Sequence, residues 1–123
     1  MKDLAILYRA AQLLAHEKHN LVAGRTFFED HEFLGDLYGT YETAYDGIVE
    51  RMIGLGAMAG VDLCDVGVSA AQNAKSYSGE YTTEEWPQLF LDLEETLRRA
   101  LSAAEKGASS GTINFLQIGR AHV

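Results

Sequence analysis

Between Glu29 and Leu55 apolar side chains recur every three or four residues: Leu34, Leu37, Tyr38, Tyr41, Tyr45, Ile48, Val49 and Met52. That period marks an α-helix with one buried face, and no strand repeat fits it over such a length. The spacing therefore predicts one long helix over residues 29–55, ended by Gly54 and Gly56. Three glycines interrupt it, Gly35, Gly39 and Gly47, each worth about 1 kcal/mol against alanine in a helix. Close approach of another helix at an interface would compensate that cost, as would gap-tolerant packing in a long helix.

The other segments follow the same rule. Residues 3–19 predict a first helix, with one apolar line through Leu4, Leu7, Tyr8, Ala11, Leu14 and Ala15 and a second through Ile6, Ala10 and Leu13. Asn20 to Thr26 breaks the pattern with Gly24 as the turn residue, and Phe27 and Phe28 are expected to pack this loop onto a bundle. Residues 57–81 are too long for a simple turn; a short helix is expected there over Val61–Ala74, with Cys64 as an apolar filler. A third long helix begins near Thr83. Thr82 and Glu85 stand at capping-box spacing, and Pro87 is tolerated in the first turn. Its core stripe is Trp86, Phe90, Leu93, Leu97, Ala100, Leu101 and Ala104, while Glu94, Glu95, Arg98 and Arg99 form i, i+4 pairs on the wet side. Gly107 stops it, and Thr112, Ile113, Phe115 and Leu116 open a further helix that is largely missing. The ending Gln117-Ile-Gly-Arg-Ala-His-Val123 lacks amphipathic logic and matches the translation of a common sequencing adapter. Residues 1–116 thus read as one all-α domain, and 117–123 as a non-native tail.

Charge and cysteine content narrow the function. A net charge of −8 opposes wrapping a nucleic-acid backbone, whose affinity comes from Lys and Arg. The single cysteine excludes an internal disulfide, which points to a cytoplasmic protein, and no apolar run is long enough for a membrane span.

Four residues carry candidate chemistry: His19, His31, Asp46 and Glu50. The histidines lie twelve residues apart, and the carboxylates, four apart, stack on one face of the long helix. Imidazole nitrogen with carboxylate oxygen suits iron, zinc or manganese better than calcium. His31 and Asp46 are fifteen residues apart on one helix, hence roughly 22 Å apart at the α-helical rise. One ion cannot touch both in one chain. If all four are ligands, the histidines of one subunit must meet the carboxylates of another, most simply across a two-fold dimer.

The pattern resembles the Dps-like mini-ferritins of the ferritin-like superfamily. The resemblance runs from about Leu4 to Leu116 and rests on His19, His31, Asp46-Gly-Ile-Val-Glu50-Arg51, the phenylalanine pair before His31, Arg51 to Gly56, and Gly111-Thr112. It implies a ferritin-like four-helix bundle with a short helix in the crossover before the third long helix. It also implies a dimer-interface ferroxidase site of His19, His31, Asp46 and Glu50, oxidising Fe²⁺ with peroxide or O₂, and iron storage in a twelve-subunit shell. The chain departs from the family in three places. His19-Asn20-Leu21 replaces the usual His-Trp-Asn, Gly35 replaces an additional Asp ligand, and the lysine-rich N-terminal tail used on DNA is lacking. A structural or DNA-protecting shell protein with a degraded metal site is the alternative.

Overall fold

The structure is a computed structural model that describes residues 1–56 and 60–106. It is all-helical across these residues: α1 (Lys2–Leu21), α2 (Phe27–Gly54), α3 (Leu63–Glu80), a 3₁₀ turn (Thr83–Glu85) and α4 (Trp86–Glu105). These helices form an all-α bundle. The further helix expected from Thr112 and the tail at 117–123 lie outside the described residues.

The first helix hairpin is antiparallel. Gln12 bonds Glu42, Arg9 lies over the Tyr45 ring, and His19 meets His31, so advancing along α1 means retreating along α2. Gly24 makes the turn at φ 98°, a left-handed conformation that a Cβ would strain. Helix α1 is the hub, packing against α2, α3 and α4. Its predicted stripe is buried through Leu4, Tyr8, Ala11, Leu14 and Ala15. The second line is buried at Ala10, half-buried at Ile6 and exposed at Leu13.

Helix α2 buries Leu34, Tyr41, Tyr45, Ile48, Val49 and Met52 against α1. Tyr41 sits at the centre, its ring 6.3 Å from both Tyr8 and Phe90. Burial first, and the Glu94 carboxylate second, push its ionisation far above the ordinary phenol value. Of the phenylalanine pair, Phe27 packs on the core and Phe28 remains 80% exposed. Successive residues on a helix point about 100° apart, so the two cannot share one buried face.

Helix α3 is longer than the expected short helix. Asp62 caps it by accepting from the Cys64 N–H at 2.8 Å, and it runs on to Glu80 past the predicted end at Ala74. Its buried stripe is Val66, Ala70 and Ala74; Cys64, two residues before that stripe, is exposed rather than a core filler. Two tyrosines tie α3 to α4: Tyr77 donates to Thr96 at 3.5 Å and Tyr81 to Asp92 at 2.5 Å. The Tyr81 bond holds the Asp92 carboxyl below its usual range, with Gln88 assisting, and pushes the Tyr81 phenol up to about 12.

The capping box forms as the spacing predicts. The Thr82 side chain accepts from the Glu85 backbone, and the Glu85 carboxylate accepts from the Thr82 N–H at 2.9 Å. Pro87 follows at the start of α4. Leu89, Phe90, Leu93, Leu97 and Leu101 are buried, while Trp86, Ala100 and Ala104 pack at the margin. Arg98 and Arg99 reach Glu94 and Glu95 at 3.2–4.0 Å on the solvent side. Between the N-terminal halves of α2 and α4 lies an open groove of about 630 Å³, floored by Phe33, Leu37, Trp86 and Phe90 and rimmed by Glu29, Asp30 and Glu94.

Candidate metal centre

The two candidate histidines meet across the α1–α2 turn, one in the last turn of α1 and the other in the second turn of α2. Their rings stack with centroids 3.6 Å apart and planes 23° from parallel. Each ring bonds the other residue's backbone. His19 Nδ1 donates to the His31 carbonyl at 2.7 Å, and His31 Nδ1 donates to the His19 carbonyl at 2.8 Å. The second bond satisfies a carbonyl in the final turn of α1, where helical partners run out. Phe27 covers the outer face of the His31 ring at 5.1 Å.

This arrangement fixes the tautomers. A carbonyl oxygen only accepts, so each Nδ1 carries its proton. In the neutral ring that leaves a lone pair on each Nε2, the state in which histidine ligates metals, with the backbone carbonyl in the orienting role common behind metal-bound imidazoles.

The stack also bears on how the two rings could serve metal. A metal–imidazole bond lies close to the ring plane and is about 2 Å long. Planes so nearly parallel converge only far beyond that reach. In this arrangement His19 and His31 are two separate donors.

Asp46 and Glu50 are exposed on the outer side of α2, opposite Tyr45, Ile48 and Val49. Among the described residues, no three His, Cys, Asp or Glu side chains of one chain converge as a metal-holding group. The structure thus brings together the histidines and leaves the carboxylates on a distant part of the same helix.

One residue of the neighbourhood is absent from the sequence-derived candidates. His16 stacks on Tyr38 at 4.5 Å and lies 6.3 Å from the His19 ring. Phe27, His31, His19, His16 and Tyr38 therefore form a continuous row of rings along the α1–α2 seam, and the Tyr38 hydroxyl donates to Glu42 at 3.2 Å. The i, i+3 spacing of His16 and His19 was the available signal. Among the described residues no helix is long and apolar enough to cross a membrane. No protein family, curated protein or solved structure matches the chain.

Proposed function

We propose that this protein is an iron-oxidising mini-ferritin whose site is completed between two copies of the chain. The observation that carries the reading is the tied imidazole pair, with both Nδ1 atoms committed to backbone carbonyls and both Nε2 atoms left as donors. Nitrogen donors at one end of α2 and exposed carboxylates farther along it suit a two-fold dimer, in which Asp46 and Glu50 of one copy face His19 and His31 of the other. Phe28, exposed within one turn of His31, supplies apolar surface for such a contact.

Fe²⁺ is the substrate. Two separate imidazole donors suit two ferrous ions, which matches the electron count of a peroxide. Each ion loses one electron, the O–O bond accepts the pair and breaks, and both oxygens leave as hydroxide. Asp46 and Glu50 favour the product by stabilising the higher charge of Fe³⁺, and Glu50 is the candidate for bridging ion and oxidant. The assembled form on this reading is a dimer within a twelve-subunit shell. A net charge of −8 argues against DNA as a partner.

The test is anaerobic addition of Fe²⁺ followed by peroxide, with ferric absorbance followed in the natural chain and in a His31→Ala/Glu50→Ala variant. Fast oxidation lost in the variant supports the proposal. Equal slow traces sink it and leave the structural-shell reading.

A further inference from the structure

Gly35 stands one helical turn after His31, directly over the carbonyl to which His19 donates. A Cβ built there would lie 3.1 Å from His19 Cε1 and 3.2 Å from His19 Nδ1. Both separations are tighter than side chains ordinarily tolerate. The partner that would have to yield is not the loose end of a flexible chain. It is a ring held by its own bond to the His31 carbonyl and by the stack on His31, on a backbone whose carbonyl His31 bonds in return. Gly39, one turn farther along α2, has nothing within 4 Å of the same built atom.

We infer that Gly35 is a positioning residue, its missing side chain forming the berth in which the His19 imidazole lies flat against α2 and exchanges hydrogen bonds with His31. The inference rests on the metal reading only for its purpose, not for its geometry. It inverts the simplest view of this position. Where the resembled family carries an Asp, this chain has the His19 ring in the space; adding a side chain displaces a donor before it can add one.

The experiment uses the full chain labelled with ¹⁵N. Nitrogen shifts of the four histidines report which ring atom is protonated, and Nδ1–H is the less common tautomer of free neutral histidine. Two histidines, assigned to 19 and 31 by His→Gln variants, are expected in the Nδ1–H form. Gly35→Val should remove that signature from His19, and Gly35→Ala should weaken it by the smaller displacement. Gly39→Val adds the same bulk to the same helix and should leave it intact. Absence of the signature in the natural chain, its survival in Gly35→Val, or its equal loss in Gly39→Val would each overturn the inference. Titration of the natural chain with Zn²⁺ alone then separates the two readings. If the tautomers behave as expected while Zn²⁺ leaves the Nε2 shifts of His19 and His31 unmoved, the berth stands and the metal function falls.

Discussion

Truncating the paired histidines gives a quantitative test of how the α1–α2 turn is held. His31→Ala removes one ring-to-carbonyl bond, worth about 1 kcal/mol net, and the stack on His19, worth about another 1 kcal/mol. Alanine returns about 0.5 kcal/mol through its better helix propensity. The single change should therefore destabilise by about 1.5 kcal/mol, and His19→Ala by about the same. The double variant is the informative one. Each ring bonds the other residue's backbone, which survives truncation, so the two hydrogen bonds are independent. Only the stack is shared. It is lost in full in either single variant and cannot be lost twice, so the pair should destabilise by about 2 kcal/mol rather than about 3. Urea unfolding of the four proteins, read at matched m-values, measures this shortfall of about 1 kcal/mol. Strict additivity would mean that the rings do not stack. A shortfall above about 2 kcal/mol would mean that the hydrogen bonds form only together and are not independent.

Three other outcomes are expected. Leu97→Ala, at a fully buried position in α4, should destabilise by about 2–5 kcal/mol, whereas Leu91→Ala at 65% exposure should stay within about 0.5 kcal/mol in the same unfolding assay. The backbone bond from Thr82, aided by its side chain, holds the Glu85 carboxyl below its ordinary 4.5. The stabilisation from this ionised cap is thus fully present above pH 4.5 and lost as pH falls through the lowered folded-state value, so stability curves of Glu85→Gln and the natural chain should converge in acid. Tyr81, raised to about 12 by its bond to Asp92, contributes stability that is present below pH 10 and lost as pH rises through about 12. Asp92→Asn should bring one phenolate absorbance transition down towards 10.

Much of the fold was legible because its signals are local. The periodicity of α1, α2 and α4, the Gly24 turn and the Thr82/Glu85 box each depend on residues within a few positions of one another, and the structure places them as read. The end of α3 was not legible, because Lys75 to Glu80 lacks an apolar repeat. That turn is held through tyrosines instead, Tyr77 on Thr96 and, just beyond the helix, Tyr81 on Asp92. At the site, the spacing of His19 and His31 suggested proximity but said nothing about ring orientation. Ring planes depend on which backbone carbonyl each Nδ1 finds, and that is settled only when two helices pack. Gly35 illustrates the same boundary. In sequence it is a missing carboxylate; in three dimensions it is the space another residue fills.

The turn between α1 and α2 carries a further consequence for insertions. Surface loops ordinarily accept extra residues, since lengthening a flexible loop adds little closure entropy. Here the span is measured from both sides, because two reciprocal bonds join the same pair of residues across it. A residue inserted between Val22 and Thr26 has to bulge outward without altering the separation of His19 and His31. One inserted between Phe27 and His31 rotates His31 by about 100° around α2 and carries its ring off the seam. The hairpin therefore works as a gauge of chain length, tolerant at its tip and intolerant at its shoulders.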